Sequence, residues 1–86
     1  MKNKVIIITG ASSGIGEACA MNFSKRGANL ILAARSEEKL KLLCEKLNTN
    51  SVSSFYYVVD VSIESDCKKL IEFAVNKYGR IDILVN

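Results

Sequence analysis

Eight consecutive residues, Thr9-Gly10-Ala11-Ser12-Ser13-Gly14-Ile15-Gly16, have the composition of a turn that cradles a phosphate through its main chain. They follow the apolar run Val5-Ile6-Ile7-Ile8 and precede a segment with helical periodicity. Gly10 allows a tight turn out of a strand. Gly14 has no Cβ, so a diphosphate can approach the backbone closely, and Gly16 lets the helix pack tightly on the strand. The first helical N–H groups lack intrahelical acceptors and, helped by the helix dipole, point at the anion. The donors are main-chain, so no lysine is needed. A P-loop is excluded because neither Lys-Ser nor Lys-Thr follows the last glycine. Gly10, Ser12, Ser13, Gly14, Ile15 and Gly16 are therefore candidate ligand-binding residues.

Positioning such a turn takes a strand before it and a helix after it, and the chain supplies both repeatedly. Strand one is read at Val5–Thr9. Helix one runs from Gly14 to Arg26 and is expected to bury Ile15, Ala18, Cys19 and Phe23. Lys25 and Arg26 fall in its last turn, and Gly27 is the C′ residue. Strand two, Asn29–Ala34, is a continuous apolar run of the kind buried on both faces. Ser36 is an N-cap for helix two, with Glu37 and Glu38 in its first turn. Leu40, Leu43, Cys44 and Leu47 recur at helical spacing. Asn48-Thr49-Asn50-Ser51 is a turn cluster. Strand three is Phe55–Asp60. Ser62 is expected to cap helix three, whose apolar face is Cys67, Leu70, Ile71, Ala74, Val75 and Tyr78, and Gly79 ends it. Strand four starts at Ile81 or Asp82 and runs into Asn86. Strand–helix–strand steps of this kind imply right-handed crossovers and a parallel sheet. The expected fold is α/β: the first half of a Rossmann-type doubly wound parallel sheet, in the order 3-2-1-4, with a ligand crevice between strands one and four.

Composition narrows the function. An 86-residue chain with 49% apolar and 24% charged residues is neither disordered nor membrane-like. It is short enough that independent stability is marginal. It has no histidine, which removes the commonest general base and metal ligand. The net charge of +3 comes from scattered bases, without the stripe or interleaved aromatics of a nucleic-acid platform. Cys19, Cys44 and Cys67 form no C-x-x-C pair and read as small apolar helix residues suited to a reducing compartment. No signal h-region and no membrane span is visible, so the expected location is cytoplasmic.

The octet resembles the T-G-x-x-x-G-I-G signature of the short-chain dehydrogenases/reductases. Asp60-Val61 is similar to that family's aspartate after strand three, which contacts the adenine ring. Leu84-Val85-Asn86 is similar to the start of its L-V-N-N-A-G segment, which implies a role for Asn86 at the cofactor ribose or in organising the strand-four loop. The resemblance covers nearly the whole chain and only the cofactor-binding front of a family member. An NAD-binding unit usually ends strand two on an acid that holds the ribose 2′-OH. This chain has Ala33-Ala34-Arg35 there. Arg35 offers a planar fork of donors to a 2′-phosphate and a face that stacks on adenine, and Ser12, Ser13 and Ser36 can add hydroxyl donors. The expected cofactor is NADP, with NAD second.

Enzymes of this family carry a Ser and a Tyr-x-x-x-Lys pair farther along. Here the residues four positions after Tyr56, Tyr57 and Tyr78 are Asp60, Val61 and Asp82. No catalytic residue is named in this chain. Asn86 falls inside a motif and would leave strand four as an exposed apolar edge. Residues 1–86 are therefore expected to be the N-terminal part of a single NADP-binding Rossmann domain, truncated after strand four, with weak cofactor binding at most and no turnover. The resemblance implies an oxidoreductase that moves a hydride between NADP(H) and a carbonyl or secondary alcohol, homo-oligomeric when full-length. The alternatives are a non-catalytic dinucleotide sensor and a structural Rossmann-like domain with an empty crevice.

Overall fold

The first strand is apolar at every position, so both of its faces must be covered. The computed structural model, which describes residues 2–48 and 53–86, covers them with helices on opposite sides. The elements in chain order are β1 (Val5–Thr9), α1 (Gly14–Lys25), β2 (Asn29–Ala34), α2 (Glu37–Leu47), β3 (Ser54–Val58), α3 (Glu64–Tyr78) and β4 (Ile83–Val85). The sheet is parallel, in the order β3-β2-β1-β4. Successive strand residues point to opposite faces. Ile6, Ile8, Leu30, Leu32 and Ala34 pack with Ala20 of α1 and with Leu40, Leu43, Cys44 and Leu47 of α2. Ile7, Ile31 and Ala33 pack with Leu70 and Ala74 of α3. The chain thus changes sides of the sheet between β3 and β4, which places the topological switch between β1 and β4.

Helix two follows the sequence reading at every position, and the three cysteines are unbridged. Burial pushes the Cys44 thiol above its ordinary range, and a hydrogen bond with Ser54 opposes this. Cys44 is thus a neutral core residue. Gly27 and Gly79 both follow helices with positive φ, +85° and +79°.

Other expectations are corrected. Ile15 is 82% exposed, and Ala18 is also exposed. The buried positions of α1 are Gly16 and Ala20, with Cys19, Met21 and Phe23 packed at the margin. The helix therefore presents the Gly16–Ala20 seam, and Ile15, one position away, is rotated about 100° towards solvent. On α3 the seam is Leu70 and Ala74, flanked by Phe73 and Tyr78, so Ile71 and Val75 are exposed for the same reason. Helix α1 stops at Lys25, and Arg26 is its C-cap, its N–H reaching the carbonyls of Phe23 and Ser24. The N-cap of α3 is Ile63, which has no side-chain cap; Ser62 lies one residue before it, folded onto Asp60, with its N–H and hydroxyl both donating to Asp60 Oδ1. Strand β3 begins at Ser54, whose N–H and hydroxyl both donate to Asn48 Oδ1. It ends at Val58. Val59 still donates to the Ala34 carbonyl, but the Asp60 N–H turns away to Asp66 Oδ2. Thr49, Asn50 and Ser51 of the turn cluster lie outside the described residues.

Strand β4 starts later than its apolar pattern suggests because Asp82 docks through its side chain. Its N–H donates to the Val5 carbonyl at 2.9 Å, and its Oδ2 accepts from Val5 N at 2.8 Å and from Arg80 Nε at 2.9 Å. The Val5 N–H, with Arg80 and Lys4 assisting against desolvation, holds the Asp82 carboxyl below its ordinary value of 3.8. A depressed carboxyl pKa stabilises the fold fully above the unfolded value, and that contribution is lost as pH falls through the folded one. In the intact protein, Asp82→Asn is therefore expected to show a smaller drop in urea midpoint than the wild type between pH 6 and pH values below about 4. Parallel drops in the two proteins would contradict this.

Candidate functional site

The glycine turn leaves β1 at its C-terminal end and is tied down at several points. Gly10 has φ +63°, a left-handed backbone that glycine adopts without steric cost. The Ala11 N–H donates to the Ala33 carbonyl at 3.2 Å, which fixes the turn to β2. Ser13 is the N-cap of α1: its Oγ accepts from Gly16 N at 3.1 Å and its hydroxyl donates to the Gly10 carbonyl at 2.8 Å. The Ser13 hydroxyl is therefore engaged inside the turn. Gly14 and Ile15 open the helix, and their N–H groups have no intrahelical acceptor. Both residues are exposed beside the turn.

The glycines divide by what a side chain would meet. A Cβ on Gly16 would lie 2.3 Å from the Gly10 carbonyl oxygen and 2.9 Å from Ala11 Cα. A Cβ on Gly14 would meet nothing within 4 Å. Gly16 thus serves the packing of α1 on the turn, while Gly14 keeps a surface clear.

Beside the turn lies a groove of about 590 Å³ across the C-terminal ends of β1, β2 and β3. Gly10, Ser12, Arg35, Ser36, Asp60 and Val61 are all in its wall. Arg35 follows β2 directly and is exposed. Ser36 is the N-cap of α2, its Oγ accepting from Lys39 N at 3.4 Å. Asp60 Oδ1 accepts from the Ser62 N–H at 3.0 Å and from the Ser62 hydroxyl at 2.6 Å. These bonds, led by the hydroxyl, hold the Asp60 carboxyl below its ordinary range, with Arg35 adding attraction. Asp60 is thus both the cap of the turn before α3 and a carboxylate on the groove.

Asn86 stands apart from this groove, at the β1–β4 side of the same sheet edge. Its Oδ1 accepts from the Thr9 hydroxyl at 3.2 Å, and that hydroxyl also lies 3.2 Å from the Val85 carbonyl. Sequence reasoning missed two residues here. Thr9 heads the octet in the sequence reading but is not among the candidate ligand-binding residues, and its bond to Asn86 is the contact the sequence does not show. Lys39 also lines the groove. Its spacing of three from Ser36 puts it at the third helical position, a signal that the pattern of the chain did contain.

The donor set fits a dinucleotide phosphate. A main-chain cradle is left clear at Gly14, two cations stand in the adjoining groove, and no acid occupies the end of β2. Among the described residues there is no cluster of metal-ligating side chains, and no helix is long and apolar enough to cross a membrane. A family model described as short chain dehydrogenase matches residues 4–86.

The chain belongs to the short-chain dehydrogenase family.

Its curated relatives include an uncharacterized oxidoreductase of Listeria monocytogenes, 48% identical over 84 residues, which are 98% of this chain and 34% of that protein. Among solved structures, L-sorbose reductase from Gluconobacter frateurii, complexed with NADPH and L-sorbose, superposes with a TM-score of 0.94 at 37% identity, over all of this chain and 33% of that one. A short chain dehydrogenase/reductase from Burkholderia phymatum, in complex with NAD, superposes with a TM-score of 0.92 at 30% identity, over 96% of this chain and 30% of that one. The chain spans about a third of the length of each of these proteins. Its four-stranded order and glycine turn form a nicotinamide-dinucleotide type of Rossmann half. Both phosphorylated and unphosphorylated forms of that cofactor occur among its structural neighbours.

Proposed function

We propose that this chain is the cofactor-holding part of a single NADP-binding domain in a short-chain oxidoreductase. The carrying observation is Arg35 in the groove wall, at the strand end where an NAD site would place an acid. In this reading the N–H groups at Gly14 and Ile15 hold the diphosphate, with Gly10 and Gly16 shaping the turn and Ser12 beside it. Ser13 acts through the turn that it caps. Arg35 and Ser36 receive the 2′-phosphate, and Asp60 and Val61 face the adenine. Asn86, through Thr9, organises the ribose end of the crevice. When bound, the nicotinamide supplies hydride transfer to or from a carbonyl or secondary alcohol. The residues named here bind and orient it, and none of them is assigned to catalysis. L-sorbose reductase, with its NADPH and a sugar substrate, supports this reading. The three unpaired cysteines support a reducing, cytoplasmic setting, and assembly into a homo-oligomer is part of the same reading by family resemblance.

The test is titration of the intact protein with NADPH and NADH, followed by turnover assays on a panel of carbonyl compounds. Tighter binding of NADPH together with its oxidation is the expected result. Binding without turnover of any carbonyl or alcohol would instead support a dinucleotide sensor, and no binding of either nucleotide would overturn the reading.

A further inference from the structure

We propose that Lys39 is a second specificity-determining cation for the 2′-phosphate, acting beside Arg35. This rests on the NADP reading above. Two hollows flank the start of α2, and Ser12 and Lys39 line both. The hollow between α1 and α2 is walled by Leu42 and Leu43 and contains a paired cation, Lys46, 3.4 Å from Glu17. The other is the groove holding Arg35. Among the described residues neither Arg35 nor Lys39 makes a salt bridge, and both line the same groove.

The carboxylates nearby are directed elsewhere. Glu37 and Glu38 stand in the same helical turn as Lys39, yet neither lines the groove. Glu37 Oε2 accepts from the Tyr56 hydroxyl at 3.3 Å, on the β3 side. Asp60, the acid in the groove wall, has Oδ1 engaged twice by Ser62. Two cations against one ionised carboxylate leave the groove wall net positive, the sign that attracts a phosphomonoester dianion. The two cations are chemically distinct: a planar guanidinium gives directional, paired donors, and an ammonium gives a compact point charge. A ribose 2′-hydroxyl has no charge for Lys39 to meet, so Lys39 separates NADPH from NADH rather than strengthening both.

The test measures NADPH and NADH affinities of the intact protein, with 2′,5′-ADP and 5′-AMP as probes of the adenosine end. Lys39→Gln is expected to weaken NADPH and 2′,5′-ADP roughly 3- to 10-fold. NADH and 5′-AMP are expected to change by less than about twofold. Lys39→Arg should recover most of the loss, and the loss should shrink with added salt because the site is open to solvent. Lys41→Gln, exposed and off the groove, is the control. Unfolding midpoints show whether α2 is intact, since only the main-chain N–H of Lys39 takes part in its cap. If Lys39→Gln leaves the NADPH-to-NADH ratio unchanged while Arg35→Ala lowers it, this proposal is overturned and the NADP reading stands. An equal loss for both nucleotides also overturns it. If the wild type has no preference for NADPH, both fall together.

Discussion

Gly16→Ala is expected to lower the stability of the intact protein by about 3 kcal/mol or more and to abolish measurable NADPH binding in whatever fraction still folds. The added carbon would lie 2.3 Å from the Gly10 carbonyl oxygen and 2.9 Å from both the Gly10 carbonyl carbon and Ala11 Cα. All three atoms are backbone, so no side chain can rotate away. Relief requires moving the turn, yet Ala11 is hydrogen-bonded to Ala33 and Ser13 clasps both Gly10 and Gly16. Gly14→Ala is the matching experiment. Its Cβ meets nothing within 4 Å, and alanine favours a helix over glycine by up to about 1 kcal/mol. That variant should fold at least as well as the wild type and lose affinity for NADPH and NADH alike. Thermal unfolding and calorimetric titration separate the two outcomes. A Gly16→Ala protein with wild-type melting and binding would refute the packing role. A Gly14→Ala protein that bound both nucleotides normally would show that no phosphate comes near that surface.

Arg35→Ala should change the choice of cofactor rather than the fold. The side chain is exposed and follows β2, so its removal leaves no cavity. A charge-assisted phosphate contact of this type contributes on the order of 1.5–3 kcal/mol, which corresponds to a loss of roughly ten- to a hundredfold in NADPH affinity. NADH, with a hydroxyl in place of the phosphate, should lose little. The deciding measurement is the ratio of the two dissociation constants, and equal losses would exclude a 2′-phosphate contact. Asp60 gives a secondary sign. Arg35 contributes to holding its carboxyl low, so the variant should let that carboxyl titrate at somewhat higher pH, as followed by NMR.

The sheet order and the glycine turn were legible because both follow from local chemistry. An uninterrupted apolar run such as Val5-Ile6-Ile7-Ile8 needs cover on both faces, and the i, i+3, i+4, i+7 spacing from Leu40 to Leu47 has one helical solution. The misread positions are those where two local rules compete. Ile15 is apolar, but its place in the first turn of α1, one residue from the Gly16–Ala20 seam, decides its exposure. Ser62 has the chemistry of a helix cap, but Asp60, two residues earlier, draws its N–H and hydroxyl into a turn, and the helix starts one residue later, with Ile63 at the cap position. Asp82 sits in an apolar stretch and looks like a strand residue. Only the approach of Val5, far away in sequence, shows that its carboxylate takes the place of a ladder bond. The site divides in the same way. Arg35 is legible from its distance to the glycines, whereas the spacing of Lys39 from Ser36 gives its place on α2 and the fold then shows that this place borders the groove.

The two ends of β4 have a bearing on how the sheet comes together. Val5 pairs with Asn29, whereas Ile6 pairs with Ile83. Bringing the second pair together closes a loop about three times as long, which costs about 1 kcal/mol more in chain entropy. Strand β4 has only three residues with which to offset that difference. Asp82 at its entry and Thr9 at its exit add polar contacts at each end, where the ladder itself is short. Neither contact lies in the groove beside Arg35, yet Thr9 is covalently joined to Gly10. The long-range closure of the sheet and the shape of the glycine turn therefore meet at neighbouring residues at the end of β1.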